Sequence, residues 1–411
     1  MRVLMIAPEP FFEPRGTPIS VYQRLHALSV LGHKVDLLTY HVGLDVSIPG
    51  VRIHRVPDVP FIKHVKIGPS WPKLFLDVLL FCKAIAMLLT NQYNVIHSHE
   101  DAAFFSVILA TVFRTRHLYD MHSSLPRQLT NFGFGNYRPI VKLFGILERW
   151  VINTCDAVIT VGADLEEYVR EINPEVKQGR IENLAVHAVG ATRSHCSARE
   201  LVGRLELSNR LPIVYTGTLE RYQGLDLLLE SAIIVRNHHP EVSFIIVGGK
   251  SQQIEYWQNE VRKHQLEDCI LFVGTVSPAD ALTFLEVAEI LVSPRIDGTS
   301  VPLKIYSYLH SGKPTVATNL AAHTQVLSED IALLVSPTQE GLAEGILKLI
   351  WDPDLRQRLG RQAQRFAEKV FDPADYQAKV DQVYQMLGAS TSPLEQSGLC
   401  PAPSCTKLEG G

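Results

Sequence analysis

Residues 290–318 read ILVSPRIDGTSVPLKIYSYLHSGKPTVAT, and this stretch carries the pattern that decides the fold. Ile290–Ser293 is a short apolar run, which predicts a buried strand. After a polar loop, a helical spacing of apolar residues starts at Pro302 and ends at Ser311-Gly312, a usual helix C-terminus. The segment PTVAT then predicts a second strand. Strand, helix and strand in this order indicate an α/β domain with a parallel sheet.

The loop between this strand and this helix has the composition of an anion site. Small residues that open a helix leave backbone N–H groups free for a phosphate. Lys304 stands in the first helical turn, where the helix dipole disfavours a cation. The position becomes favourable if a diphosphate lies in front of it. An ordinary strand–loop–helix with a surface lysine explains the same spacing.

The whole chain indicates a globular protein of two domains. It has 411 residues, more than one ordinary core accommodates. A net charge of −4 gives no indication of general nucleic-acid binding. The six cysteines form no C-x-x-C pair, so neither a zinc site nor a disulfide framework is indicated, and we expect a reducing, cytoplasmic setting. The start, MRVLMIAPEPFF, predicts a buried first strand rather than a signal peptide.

One apolar stretch raises the question of a membrane. Residues 74–89 are short of the roughly 20 residues that a span needs, and they include Asp77 and Lys83. We therefore predict an amphipathic or buried helix. The preceding residues 61–73 interleave aromatic and basic side chains, which suits peripheral contact with an anionic membrane surface; a solvated loop is the alternative. The basic residues and the tryptophan of this segment are Lys63, Lys66, Lys73 and Trp71.

Alternating strand and helix patterns fill both halves of the chain. Several polar side chains, His99, Glu100, Asp120 and His122, follow predicted strands in the first half. In open α/β sheets that edge binds ligands, so these residues are candidates for acid–base or hydrogen-bonding roles. A histidine with a purely structural hydrogen bond is the alternative for each of them.

The polar residues 186–210 lack a clear period and predict the junction between two domains. The N-terminal domain then covers residues 1–185, and a second α/β domain covers 211–370. A last helix is expected at 371–387, and a Ser-, Pro- and Gly-rich tail at 388–411 is expected to be disordered. VGGKS at 247–251 is not a P-loop, because Phe244 stands where the first glycine is required.

Four segments of the second half carry a resemblance to a known family: PIVYTGTLERYQGLDLLLES, FIIVGG, ILFVGTVSPADAL and DGTSVPLKIYSYLHSGKPTVAT. With LHALSVLGHKVDLLT and VIHSH in the first half, they resemble, in the same order, the retaining glycosyltransferases of family 4, also called group 1. The resemblance implies the α/β GT-B fold, in which two Rossmann-like domains with parallel sheets face a central cleft. It also implies transfer of a sugar, with retention, from a UDP- or GDP-linked donor to an acceptor hydroxyl. Neither a metal nor a cofactor is implied, and the acceptor is a glycan, a lipid-linked molecule or a small molecule.

The resemblance also implies roles for individual residues. Gly16-Thr17 are expected near the donor phosphates and His122 near the transferred sugar. The first glutamate of the family's E-x7-E motif falls on Asp297 in one alignment and on Thr299 in another. The expected donor-binding set is completed by Thr218, Arg221, Gly274, Val276, Ser300, Val301, Lys304 and Ser307. Residues expected on the acceptor side are His99, Glu100 and Arg127.

Three family positions differ in this chain. The phosphate-binding arginine and lysine correspond to Thr218 and Gln223, so we expect Arg221 and Lys304 to restore the missing charge. Ser307 replaces the ribose-binding carboxylate, and a hydroxyl gives that hydrogen bond less strength. These differences motivate one alternative, a GT-B scaffold protein without catalytic activity. A nucleotide-sugar epimerase on the same fold is the other alternative; it is expected to have more carboxylates in the N-terminal cleft than Glu100 and Asp120.

Overall fold

A computed structural model describes residues 1–13, 16–63, 65, 70–131, 138–185, 197–298 and 300–388. The first half forms a parallel sheet of seven strands in the order β3-β2-β1-β4-β5-β6-β7. Its strands are β1 (Arg2–Ala7), β2 (Lys34–Thr39), β3 (Val51–Arg55), β4 (Val95–His99), β5 (Arg116–Met121), β6 (Ala157–Thr160) and β7 (Lys177–Arg180). Its helices are α1 (Gly16–Val30), α2 (Trp71–Thr90), α3 (Ala103–Phe113), α4 (Leu125–Asn131), α5 (Arg138–Thr154) and α6 (Ala163–Ile172).

The second half forms a parallel sheet of six strands in the order β10-β9-β8-β11-β12-β13. The strands are β8 (Leu211–Thr216), β9 (Val242–Val247), β10 (Ile270–Gly274), β11 (Ile290–Ser293), β12 (Thr315–Thr318) and β13 (Leu333–Val335). The helices are α7 (Ala198–Arg204), α8 (Leu225–His238), α9 (Ser251–Lys263), α10 (Pro278–Val287), α11 (Leu303–His310), α12 (Ala321–Thr324), α13 (Gln339–Trp351), α14 (Pro353–Val370) and α15 (Pro373–Met386). The predicted pair of Rossmann-like α/β domains is therefore confirmed.

Helices cover both faces of the N-terminal sheet. Right-handed crossovers place α2, α3, α5 and α6 on one face and α1 on the other. The last helix, α15, packs beside α1: Tyr376 and Val380 share a buried core with Val3 and Met5. The end of the chain thus packs on the first domain. The sequence predicted a helix at 371–387 but not its packing beside α1.

Four elements were absent from the sequence prediction, one of them the four-residue helix α12. The strand β7 reads KQGR, and its exposed ends give no apolar signal. The helix α7 lies inside the predicted junction 186–210 and starts at a capping box of Ser197 and Glu200, a local signal that the search for periodicity missed. Seven-residue α4 is too short for a readable period. The first part of the junction, 186–196, and all of the predicted tail except Gly388 lie outside the described residues.

Within the described ranges, no helix combines the length and the hydrophobicity that crossing a membrane requires. The stretch 74–89 belongs to α2, as predicted, and its inner face packs through Leu76, Leu80 and Ala84 on the sheet.

Candidate active site

The candidate site lies where the carboxyl-terminal edges of the two sheets meet. His122 follows β5 of the first domain, and Ser300 follows β11 of the second. The Ser300 hydroxyl donates to the carbonyl oxygen of His122 over 3.5 Å, so the two edges are in contact. Ligands of parallel α/β sheets bind at such edges, because loops and helix N-termini gather there.

The N-terminal edge is organised around a buried ion pair. Arg24 of α1 donates from Nε to Asp120 Oδ2 over 2.8 Å, and both side chains are buried. Arg24 Nη1 donates to the Tyr376 hydroxyl of α15 over 2.9 Å. Burial opposes the charge of Asp120, but Arg24 and His122 hold its pKa well below the usual range. The carboxylate is therefore a fixed negative charge at the end of β5.

Three histidines share this carboxylate. His97 Nε2 lies 3.2 Å from Asp120 Oδ2, and His97 Nδ1 lies 2.8 Å from the Tyr384 hydroxyl. His122 Nε2 lies 3.4 Å from Asp120 Oδ1 and 3.0 Å from His99 Nδ1. Burial lowers the pKa of His122 to about 4, although Asp120 opposes the shift. At neutral pH these imidazoles are neutral hydrogen-bonding groups.

The contact with Asp120 favours one tautomer of His122. Because an ionised Asp120 only accepts, its 3.4 Å contact favours a hydrogen on His122 Nε2, which can then also donate to His99 Nδ1. His122 Nδ1 is then a bare acceptor, and it has no partner among the residues that the structure describes. His122 is 8% exposed at the cleft, whereas His99 lies behind it at 0%. His122 is thus fitted to accept a hydrogen bond from a hydroxyl in the cleft.

Glu100 extends this edge from the end of β4. Its φ of 50° is a left-handed backbone conformation, which is uncommon for a residue other than glycine. The Ser123 hydroxyl lies 3.0 and 3.1 Å from its two carboxylate oxygens. Burial and the nearby Asp101 raise the pKa of Glu100 to about 8, so the group holds a proton at neutral pH.

The C-terminal edge presents closely packed backbone. Tyr215 donates from its hydroxyl to the Thr218 carbonyl over 2.6 Å and folds the loop after β8. Gly217 has a φ of 144°, and a Cβ on Gly248 of the neighbouring strand end would overlap the carbonyl oxygen of Gly217. Glycine at position 248 is therefore required for the two loops to approach.

Lys304 lies under this loop. Its ammonium nitrogen is inaccessible to solvent and has no hydrogen-bond partner in the described part of the chain. It sits 3.8 Å from the centre of the Tyr215 ring, a cation–π contact. Burial, followed by the charge of Arg295, lowers the pKa of Lys304 well below its usual range. Burying a cation without a carboxylate partner costs free energy, and only a bound anion would offset that cost.

Arg295 is the second buried cation at this edge. It donates from Nε to the carbonyl of Asp297 over 2.6 Å and from Nη1 to the carbonyl of Ser300 over 2.9 Å. Its guanidinium carbon lies 5.1 Å from the centre of the Tyr222 ring. These contacts shape the loop but leave the charge without an ion pair among the described side chains. The carboxylate of Asp297 is exposed and accepts from the N–H of Gly298 over 2.6 Å.

The other predicted donor-site residues occupy the expected ends of strands and helices. Gly16 and Thr17 open α1, with Gly16 exposed, and Ser307 is buried in α11. Arg221 is exposed in the loop after β8. Gly274 ends β10, with Val276 two residues further. Val301 lines a cavity of about 170 Å³ between the domains, opposite Gly162. Thr299 lies outside the described residues.

On the acceptor side, Arg127 of α4 turns toward a neighbouring helix. Its Nη1 lies 3.5 Å from Asp164 Oδ2, and its guanidinium stacks on Tyr168 with 4.8 Å to the ring centre. Its contacts therefore tie α4 to α6, and 42% of the side chain stays exposed.

The N-terminal edge also contains three residues of the kinds that bind metal ions. Ligand atoms of His97, His99 and Asp120 lie within 4.8 Å of one another. Arg24 already neutralises Asp120, and a divalent cation there would face the guanidinium. The group fits a hydrogen-bond network better than a metal centre. The one Asp-x-Asp sequence of the chain, 352–354, begins α14, where Asp352 accepts from the N–H of Leu355 over 2.9 Å.

Sequence reasoning missed the importance of Arg24 and Arg295. Arg24 lies three residues after Val21 and four before Leu28, so it shares the apolar face of α1, and a charge on such a face signals a buried partner. Arg295 comes two residues after β11, a position that could have been recognised at the sheet edge. No local signal connects Tyr376 and Tyr384 to this site, because they are more than 250 residues away along the chain.

Comparisons with known proteins agree with this architecture. A model of group 1 glycosyl transferases matches residues 203–366, and a model of glycosyltransferase family 4 matches residues 14–182, so together they cover most of the chain. The phosphatidyl-myo-inositol mannosyltransferase of Mycobacterium leprae is 24% identical, over 96% of this chain and 99% of its own length.

Two solved structures share the arrangement of both domains. Sucrose-phosphate synthase from Thermosynechococcus elongatus superposes with a TM-score of 0.75 at 19% identity, covering 94% of this chain and 99% of that one. HepE from Anabaena, in complex with UDP-glucose, superposes with a TM-score of 0.72 at 15% identity and the same coverage. The chain therefore belongs to the group 1 glycosyltransferases of family 4 and has the GT-B fold.

Proposed function

We propose that this glycosyltransferase moves a sugar from a UDP- or GDP-linked donor to an acceptor hydroxyl, with retention at the anomeric carbon and without a metal. The observation that carries the proposal is the pair of buried cations, Lys304 and Arg295, at the C-terminal cleft edge. We propose that they supply the charge of the family's arginine and lysine, whose positions Thr218 and Gln223 occupy. A nucleotide diphosphate supplies the negative charge that this edge lacks.

The chemistry requires stabilisation of the departing diphosphate. In the proposed step the bond from the anomeric carbon to the diphosphate oxygen breaks while the acceptor oxygen bonds to that carbon on the same face. The acceptor proton passes to the departing diphosphate oxygen. Fixed cations and N–H dipoles in a closed cleft stabilise this charge best. Lys304, Arg295 and the N-terminus of α1 at Gly16-Thr17 take this role.

Across the cleft, His122 orients the transferred sugar. Its Nδ1 accepts a hydrogen bond from a sugar hydroxyl, while Asp120 and His99 hold the ring through Nε2. Glu100 lies on the same edge and, with its raised pKa, donates a hydrogen bond to the acceptor rather than taking a proton from it. Asp297, which aligns with the first glutamate of the E-x7-E motif, is the second predicted catalytic residue beside His122.

The acceptor is proposed to be a glycan, a lipid-linked molecule or a small molecule. The name of the M. leprae relative points to a phospholipid acceptor, and that of sucrose-phosphate synthase to a small soluble one. We place the protein in the cytoplasm, with peripheral contact to the inner membrane face through residues 61–73. One part of that contact is corrected: Lys73 pairs with Asp101 over 2.8 Å and does not face lipid. Lys63 and Trp71 are exposed, and Lys66 lies outside the described residues.

The experiment is a donor panel with the purified protein. UDP- and GDP-linked hexoses are offered with phosphatidylinositol vesicles, oligosaccharides or sugar phosphates, with and without EDTA, and nucleotide release is measured. NMR of the product gives the anomeric configuration. We expect release of one nucleotide, EDTA-insensitive, and a product with the donor's configuration.

Lys304→Met is the matched control, since it keeps the length of the side chain and removes its charge. Conversion of one free nucleotide-sugar into its epimer, without acceptor, would contradict transfer. An inverted product or a metal requirement would overturn that part of the proposal alone.

A further inference from the structure

Most exposed large hydrophobic side chains of the described residues lie on one side of the N-terminal domain. They belong to the neighbouring helices α2, α3 and α5 and to the segment before α2. Ring contacts between Phe81 and Phe105 and between Phe104 and Phe144 join the three helices into one layer. The exposed residues of this layer are Phe61, Trp71, Leu74, Phe75, Val78, Leu89, Ile108, Val112, Ile140, Leu143, Ile146 and Trp150.

The clearest part of this surface is α5. Leu143 is 53% exposed and Ile146 is 56% exposed, and Ile140 and Trp150 continue the stripe at helical spacing. In the inner half of the helix, Glu148, Val151 and Ile152 are buried. A helix with a polar outer face needs no partner, whereas this one has an apolar outer stripe.

Charge distinguishes among possible partners. Arg138, Lys142 and Arg149 follow one edge of the stripe, are exposed, and have no ion pair among the described side chains. The acidic side chains of the three helices face inward: Asp77 bonds to Tyr40, and Glu148 bonds to Ser124. The exposed charges of the layer are therefore basic.

We propose that the outer face of α2, α3 and α5, centred on the α5 stripe, docks on an anionic lipid bilayer; this extends, and in part rests on, the peripheral contact proposed above for residues 61–73. Apolar side chains flanked by lysine and arginine enter the boundary between head groups and acyl chains, while the cations meet lipid phosphates. A second copy of the chain would bring two sets of these unpaired basic residues into one interface without acidic side chains of the layer to pair with them, which costs affinity.

The inner face of α5 connects this surface to the cleft. Glu148 Oε1 accepts from the Ser124 hydroxyl over 2.8 Å, and Glu148 Oε2 accepts from the Leu125 N–H over 2.9 Å. Both donors follow His122 within three residues. In a parallel sheet the N-terminal ends of α2 and α5 also lie at the carboxyl edge, beside the cleft. Docking thus brings the lipid surface to the mouth of the site.

Vesicle sedimentation tests the proposal with the full chain. Vesicles of phosphatidylcholine alone, or mixed with phosphatidylglycerol, are used at low and high salt. We expect binding to the anionic vesicles, release by salt, and at least tenfold weaker binding of the double variant L143E/I146E. With about 1 kcal/mol for each basic residue at an anionic surface, K142Q/R149Q should bind roughly thirtyfold more weakly.

Tyr256→Glu is the control, because Tyr256 is 58% exposed on α9 of the other domain. It should bind vesicles like the wild type. All variants should keep the wild-type melting temperature, since the side chains are exposed. Nucleotide release with a soluble acceptor should stay unchanged, so loss of docking is separable from loss of glycosyl transfer.

Several results would overturn the proposal. The wild type remaining in the supernatant at low salt is one, and equal binding to uncharged vesicles is another. Full vesicle binding by L143E/I146E would show that the stripe is not the contact. A concentration-dependent dimer that L143E/I146E abolishes would assign the face to a second copy.

Discussion

The N-terminal edge of the cleft holds its charges in closed pairs, whereas the C-terminal edge holds two cations without a carboxylate partner among the described residues. At the first edge, Arg24 and Asp120 neutralise each other, and the histidines around them are neutral. At the second, burial and the charge of Arg295 lower the pKa of Lys304, and burial lowers the pKa of Arg295. The charges of the first edge are compensated before substrate binds. Those of the second edge are compensated only when an anion binds.

This difference separates residues that matter for folding from residues that matter for binding. Removing a member of a closed buried pair leaves an uncompensated charge in the folded state. Removing an unpaired buried cation relieves the folded state of such a charge and affects the complex instead. Variants on the two edges should therefore have opposite effects on stability.

The largest expected effect is on the stability of the N-terminal edge. Asp120→Ala leaves Arg24 buried and unpaired, and we expect a loss of about 3–5 kcal/mol in the free energy of unfolding. Chemical denaturation followed by circular dichroism measures it. The double variant R24M/D120L, which removes both charges, should recover most of the loss. A loss below about 1 kcal/mol for Asp120→Ala would mean that the pair is not closed as described.

The second effect is on catalysis at the C-terminal edge. Lys304→Met should lower kcat/KM for the nucleotide-sugar by about 10²–10³-fold, the range for one preorganised charge-stabilising group. Its melting temperature should equal or exceed that of the wild type, because no amine is left buried without a hydrogen-bond partner. A destabilised Lys304→Met with wild-type kinetics would reverse the comparison. Arg221→Ala removes an exposed cation instead, so its kcat/KM compares the loss of a surface charge with the loss of the buried one.

A smaller effect is expected for the histidine that faces the cleft. His122→Ala should lower kcat by tenfold or more, because we propose that the ring contacts the transferred sugar. The matched control is His117→Gln on β5, the strand that His122 follows, where the imidazole lies 2.8 Å from the Ser98 hydroxyl and away from the cleft. That control should affect stability without a selective loss of kcat. Equal kinetic losses in both variants would make the role of His122 structural.

The two edges also differ in how much of each could be predicted from the sequence. Strand runs such as Ile290–Ser293 and the loop–helix at Lys304 are local patterns, so the fold and the C-terminal cleft edge could be predicted from them. The N-terminal edge could be predicted only in part. His122 stands at a strand end, but its surroundings come from α1, β4 and the distant α15, which the chain brings together only on folding.

Two features were missed in the sequence analysis because each depends on contacts that only the folded chain shows. Lys73 looked like a surface cation by composition, but the turn after β4 brings Asp101 to it. The α5 stripe was overlooked, because apolar residues at helical spacing indicate a core face in most helices. Only the three-dimensional structure shows that Leu143 and Ile146 point outward.

Proton uptake on diphosphate binding is the most direct test of the central claim, that Lys304 and a donor diphosphate complete each other. The pKa of buried Lys304 is well below its usual range, and a nearby diphosphate favours the protonated form. Binding therefore takes up a proton at pH above the pKa of the free protein. UDP and GDP are titrated by calorimetry at pH 8 in buffers of different ionisation enthalpy, with Lys304→Met as control.

At this pH a terminal phosphate, with a second pKa near ~6, is already ionised and releases no proton of its own. At least one nucleotide should bind the wild type with an enthalpy that depends on the buffer, and the sign of that dependence should correspond to proton uptake. Lys304→Met should bind it more weakly and without that dependence. Equal affinity and equal buffer dependence in both proteins would contradict the account.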